Sequence, residues 1–124
     1  MLNRPILDNA HLSPAVQQTL ENFHPDIVKE VQAAIAANQV VIVGMRFNDA
    51  CTKARKLMDA NGVAHTYLEY GGYFSEWRRR LALKMWTGWP TFPMVFVNGT
   101  LVGGASDAKK AFADGSLKAL LTAK

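Results

Sequence analysis

The residues with the most chemical potential fall in two stretches. Phe47-Asn48-Asp49-Ala50-Cys51-Thr52-Lys53 carries the single cysteine, and Trp89-Pro90-Thr91-Phe92-Pro93 runs through an apolar segment and Asn98-Gly99 into Gly103-Gly104. A thiol near the start of a helix can be held as a thiolate, because the free N–H groups and dipole of that end favour negative charge. Thr-Phe-Pro just ahead of a strand predicts a proline in a special geometry facing a pocket, with a cis bond as the candidate. The glycine pair lets backbone approach a ligand or another chain closely, and it stands before a helix N-terminus, where N–H groups suit an anion.

The flanking pattern supplies elements to position these residues. Val40-Val41-Ile42-Val43 reads as a central buried strand. After a turn over 44–50, Cys51 to Ala60 reads as a helix with Ala54, Leu57 and Met58 inward, ending at Asn61-Gly62. Alternation over 65–69 predicts a second strand. Gly71-Gly72 breaks the pattern before a helix from about Ser75, its expected cap, to Trp86, with Trp77, Leu81 and Met85 one repeat apart. Asn98-Gly99 between apolar runs predicts a hairpin, since both central residues of a type I′ turn need positive φ. Ser106-Asp107 is expected to cap a last helix reaching about Leu121. Upstream, residues 1–12 read as an extended arm. Ser13-Pro14 opens a helix carrying Val16, Leu20 and Phe23, and Pro25 starts another with Ile27, Val28, Val31, Ile35 and Ala36 on one stripe. This order predicts an α/β protein with a mixed four-stranded sheet flanked by helices, plus an extra N-terminal helical segment.

Composition narrows the class. The 124 residues suffice for one domain with its own core, and 49% apolar with 19% charged residues predicts a folded globular chain. The net charge of +4 is concentrated in Lys53-Ala54-Arg55-Lys56 and Arg78-Arg79-Arg80. Such runs favour anionic partners or simply solvate helix faces, and no nucleic-acid motif accompanies them. No apolar run approaches the ~20 residues that cross a bilayer, and no signal-peptide core is visible. A lone cysteine cannot form an internal disulfide and fits a reducing compartment, so a cytoplasmic protein without membrane association is expected. His11, His24 and His65 show no metal spacing, and one cysteine gives no zinc signature. Trp77, Trp86 and Trp89 are expected as core and pocket wall rather than a stacking surface.

The Trp-Pro-Thr-Phe-Pro segment with the glycine pair resembles the glutaredoxin family of the thioredoxin superfamily, especially its single-cysteine branch. The resemblance spans roughly residues 38–122. It implies a thioredoxin-like fold for residues 38–124, with residues 1–37 forming an arm and helices packed on that domain. It also implies glutathione-dependent thiol–disulfide chemistry, with the nucleophilic cysteine at the loop-to-helix junction after the first strand. Two registers are open here. In one, Asn48 takes the nucleophile position and Cys51 the second, resolving one; in the other, Cys51 is the nucleophile after a longer loop. Inward positions Ala54, Leu57 and Met58 match the first register, whereas the second puts Asn61 and Gly62 where core residues belong. The first is favoured, so the family's first active-site cysteine is replaced and the site is degenerate. Asn48 cannot ionise, but it is a good N-cap. The same replacement argues against an iron–sulfur cluster.

The resemblance also implies a glutathione site made by Arg46, Asn48, Lys84, Phe92, Pro93, Gly104, Ser106 and Asp107, with Cys51 as the catalytic thiol. Phe92 before Pro93 would pair with the tripeptide backbone like an added strand edge. Ser106, Asp107 and the helix end after the glycines would take the γ-glutamyl group. Lys84 would meet the glycyl carboxylate, while Met45 stands where the two-cysteine branch has lysine, leaving neighbouring Arg46 as a substitute. Each has a plainer reading: Ser106 and Asp107 as caps, Lys84 as a solvated cation, Pro93 as a loop-shaping residue. Two functions follow. One is a thiol oxidoreductase, in which Cys51 attacks a mixed disulfide and free glutathione resolves the product. The other is a non-catalytic module binding glutathione or protein. Protein thiols or disulfides are the implied partners, and the N-terminal helices are a candidate surface for homo-oligomers.

Overall fold

The computed structural model describes residues 4–123. Four strands, β1 (Val40–Gly44), β2 (Thr66–Glu69), β3 (Met94–Val97) and β4 (Thr100–Gly103), form one mixed sheet in the order β2-β1-β3-β4. β1 runs parallel to β2 and antiparallel to β3, which pairs antiparallel with β4. The α-helices are α1 (Pro14–Glu21), α2 (Pro25–Ala37), α3 (Asp49–Ala60), α4 (Trp77–Thr87), α5 (Ala105–Ala113) and α6 (Ser116–Thr122). A short 3₁₀ helix at Asn9–His11 interrupts the arm expected to be extended over residues 1–12, of which 1–3 lie outside the described residues.

All of β1 is buried because both faces of the sheet are covered. Its residues alternate between two layers, as a period of two demands. Val41 and Val43 join Ile27 and Val31 of α2 and Ala82 and Leu83 of α4. Val40 and Ile42 join Ala54 and Met58 of α3, Ala108 and Ala111 of α5 and Leu117 of α6. Each such aliphatic side chain is worth roughly 1.5–3 kcal/mol of burial, so the sheet is a firm platform for the loops at its end.

The expected hairpin is present, with Asn98 at φ 48 and Gly99 at φ 79. Ser13 caps α1 by accepting from the Val16 amide at 3.2 Å, with Pro14 at the first helical position. Several local expectations need correction. α3 begins at Asp49, two residues before Cys51. α4 begins at Trp77; Ser75 is not its cap but accepts from the Gly72 amide at 2.9 Å, closing the preceding loop on itself. Gly104, not Ser106 or Asp107, is the cap residue of α5, and Gly115 at φ 84 divides the expected last helix into α5 and α6. α1 buries none of its residues, so its apolar stripe is a surface feature. Trp77 and Trp86 are 55% and 38% exposed rather than core, because α4 turns Arg80, Ala82 and Leu83 inward instead.

Candidate functional site

Two structures meet at one end of the sheet: the β1–α3 turn and the β3–β4–α5 unit. In the first, Asn48 has extended backbone, and its side-chain oxygen accepts from the Cys51 amide at 2.9 Å. Its Nδ2 donates to the Tyr73 hydroxyl at 3.3 Å. The amide side chain therefore caps α3 with one end and tethers the neighbouring loop with the other. An Asn cap of this kind is worth about 1 kcal/mol.

Cys51 is the third residue of α3 and only 1% exposed. Its sulfur lies against the end of β1, where a methyl group on Gly44 would come within 2.7 Å of Sγ and 2.8 Å of the Tyr67 hydroxyl. Gly44 is thus the residue that admits both groups. Burial pushes the Cys51 thiol up from its ordinary range, with the Met45 amide and Tyr67 hydroxyl opposing only in part. Tyr67 is pushed up to about 12, chiefly by burial and then by its neighbours Cys51 and Glu69. Its hydroxyl donates to the Met45 carbonyl at 3.2 Å, and the Arg55 guanidinium covers its ring at 4.2 Å. The helix dipole alone would lower a thiol's pKa; here desolvation outweighs it.

In the second unit the Phe92–Pro93 bond is cis, as the sequence pattern anticipated. Phe92 and Pro93 are buried. A methyl group on Gly104 would sit 3.7 Å from the Pro93 carbonyl oxygen, which places the α5 N-terminus beside the cis-proline. Gly104 donates its N–H to Asp107 Oδ2 at 3.0 Å. Gly103, at φ 116, has no room for a side chain, since a Cβ there would fall 2.8 Å from the Asp107 carboxylate. Gly104 brings no side chain to the first amides of α5, and the Asp107 carboxylate, the one acid of that first turn, is bonded back to the Gly104 N–H.

The residues named for glutathione are therefore only partly brought together. Phe92, Pro93, Gly104 and Asp107 form one contiguous cradle, and Lys84 Nζ lies 5.7 Å from the Phe92 ring centroid. Met45, Cys51 and Phe92 belong to one buried cluster, which joins the cradle to the α3 turn. Arg46 lies on another lip, lining a shallow cavity of about 270 Å³ with Phe47, Gly72, Tyr73, Phe74 and Ser75. Ser106 is exposed and lines a separate cavity with lysines of α3 and α5.

Sequence reasoning missed the loop between β2 and α4. Gly71 accepts from the Arg46 amide at 2.7 Å, and Tyr70 donates to the Gly44 carbonyl at 2.9 Å. Arg80, read as part of a basic run, is buried, and its guanidinium donates to the carbonyls of Tyr70 at 2.8 Å and Ser75 at 2.5 Å. That side chain holds the loop carrying Tyr73. The signal lay in the spacing of Arg80 from Leu83, one turn apart on the inner face of α4.

Comparison with known proteins identifies a match to the glutaredoxin family model over residues 40–102. A glutaredoxin-like protein of Dictyostelium discoideum is 46% identical over 102 residues, covering 82% of this chain and 83% of that one. The Homo sapiens protein glutaredoxin-2, mitochondrial, is 36% identical over 83% of this chain, which spans 63% of that protein's length. Among solved structures, a buckwheat glutaredoxin–glutathione complex superposes with a TM-score of 0.70 at 27% identity, covering 82% of this chain and 93% of that one.

Proposed function

The chain belongs to the glutaredoxin family, and from that premise we propose that it binds glutathione at the cis-Pro93 cradle while Asn48 stands where the family keeps its nucleophile. The observation carrying this reading is the α3 cap: the Asn48 side chain already satisfies the amide of the first turn, and the only thiol is buried beneath Gly44. The tripeptide would pair with the Phe92 backbone, present its γ-glutamyl carboxylate to the α5 amides, and meet Lys84 with its glycyl end. The buckwheat complex supports glutathione as the ligand by family likeness. The donor set present does not fit an iron–sulfur cluster, because the sole thiol is neither at the surface nor easily ionised.

Exchange through Cys51 is the second reading, favoured by its place in the first turn of α3. Its thiolate would attack the glutathionyl sulfur of a mixed disulfide, releasing the partner thiolate. A second glutathione thiolate would then attack the Cys51–glutathione disulfide, restoring Cys51 and leaving glutathione disulfide. A reducing, cytoplasmic setting and self-association through the N-terminal helices complete the proposal. The latter is supported by an apolar groove shared by Leu20, Phe23, Val28, Met85 and Trp86.

One experiment separates the readings. Glutathione is titrated into wild type and Cys51→Ser by NMR, and both are assayed for glutathione-dependent reduction of a mixed disulfide. Binding at Phe92, Gly104 and Asp107 in both proteins, with no turnover in either, is the expected result. Turnover lost on Cys51→Ser establishes the exchange reading. Absence of any shift at those amides removes glutathione as the ligand.

A further inference from the structure

A groove between α3 and α5, distinct from the cis-proline cradle, is lined by Lys53, Lys56, Leu57, Ala105, Ser106 and Lys109 and encloses about 420 Å³. Helical spacing explains why these residues converge. Lys53, Lys56 and Leu57 stand at i, i+3 and i+4 on α3, while Ala105, Ser106 and Lys109 occupy the matching face of α5. Three cations thus line a cleft whose floor is apolar.

None of the three lysines has, among the described residues, a carboxylate within ion-pairing distance, and Asp49 stands one turn before Lys53 on α3. Among the described residues, the ion pairs involve only His65 and Arg79 as cations. The acids of these two helices are mostly engaged elsewhere. Asp59 approaches His65 at 3.8 Å, Asp107 accepts from Gly104, and Asp114, at the end of α5, accepts from the Ser116 amide at 2.8 Å. Arg55, the other cation of this stretch of α3, is turned away onto the Tyr67 ring. Three of the acids on or bordering these helices are thus engaged elsewhere, which leaves Asp49 against the three lysines.

We propose that this groove docks an acidic peptide segment of a partner protein, its carboxylates meeting the three lysines and its apolar side chains resting on Leu57 and Ala105. The lining favours a peptide over a small phosphate. The cations are spread over two walls, with about 5–6 Å between Cβ atoms one turn apart on α3. Lysine also offers flexible point charges rather than a fixed fork. The groove stands on its own lining and does not depend on glutathione binding in the cradle.

The test uses the intact chain and a labelled peptide alternating glutamate with leucine, alongside its glutamine counterpart, followed by fluorescence anisotropy. Wild type is expected to hold the acidic peptide about tenfold more tightly than the neutral one, and the Lys53→Gln/Lys56→Gln/Lys109→Gln variant to lose that preference. Raising salt from about 20 to about 200 mM should weaken acidic-peptide binding several-fold. Amide shifts on wild type are expected at Lys53, Lys56, Leu57 and Lys109, with Phe92 and Gly104 of the cradle unmoved, which keeps the proposal testable if the triple variant misfolds. Equal affinity for the two peptides, shifts centred on Arg78–Arg80, or tighter binding of pyrophosphate that displaces the peptide would each overturn it. Glutathione titration of the triple variant should match wild type, so a failed groove and a failed cradle give different results.

Discussion

Two helix N-termini approach the same end of the sheet, and they are finished in opposite ways. At α3 the Asn48 side chain accepts the Cys51 amide, so the end is closed from within. At α5 the cap residue is Gly104, which has no side chain, and Asp107 turns back only to the Gly104 amide. The partial positive charge of a helix end is available to an external anion only where the protein leaves it unspent. On the proposed reading, a side-chain-capped end beside a buried thiol and a glycine-capped end beside a cis-proline would recognise glutathione without ionising a thiol.

Restoring a thiol at the closed end gives the largest expected change. Asn48→Cys should bring glutathione-dependent mixed-disulfide reduction to on the order of a hundredfold above the protein-free background that wild type is expected to match, because a thiol at an open helix end is largely thiolate near neutrality and a buried one is not. An unchanged rate would show that the α3 turn is not the reactive corner. At the glycine-capped end, Gly103→Ala should lower stability by roughly 2 kcal/mol in denaturant unfolding and abolish glutathione-induced shifts, since the new methyl meets the Asp107 carboxylate at a φ of 116.

The closed end carries a pH signature. Cys51 is raised in the fold, so the unfolded chain loses this proton first as pH rises. Stability is fully present below the unfolded thiol's pKa of about 8.5 and declines as pH climbs toward the folded value. Tyr67 and Tyr70, both pushed up to about 12, extend the loss above roughly pH 10 by the same sign. Thermal melts should therefore fall above about pH 8.5, and Cys51→Ala should flatten the first part of that fall. Iodoacetamide labelling of native Cys51 should stay slow and still be accelerating in that range, whereas a pH-independent rate would mean a low-pKa thiolate.

Two smaller effects refine the contrast. Asn48→Ala should cost about 1 kcal/mol through the lost cap, measurable as a lower urea midpoint. Lys84→Gln should weaken glutathione only about two- to threefold, because its ammonium is a partly exposed charge near Phe92 rather than a buried partner.

Where a local rule was strong, the sequence was readable. Continuous β-branched residues over Val40–Val43 could only be a covered strand, and Asn98-Gly99 could only be a tight hairpin turn. The cis bond before Pro93 and the Asn48 cap also followed from residue type and position. Trp77, Leu81 and Met85 misled because a helical stripe of large side chains looks like a core face. The inner face of α4 is instead Arg80, Ala82 and Leu83, a choice made by what lies opposite. Ser75 was misplaced because a serine before a helix can satisfy an amide of the helix or of the loop, and only the closed loop decides between them.

The sequence alone determined the single thiol, the residue that caps the helix before it, the glycines that admit close backbone contact, and the order of strands and helices. These depend on residue type and neighbours within a turn or two. Tertiary structure decided how deeply Cys51 is buried, that Arg80 ties down the Tyr73 loop, and that lysines of α3 and α5 line one groove. Those outcomes come from segments far apart in the chain packing against one another, and desolvation and charge pairing are set by that packing.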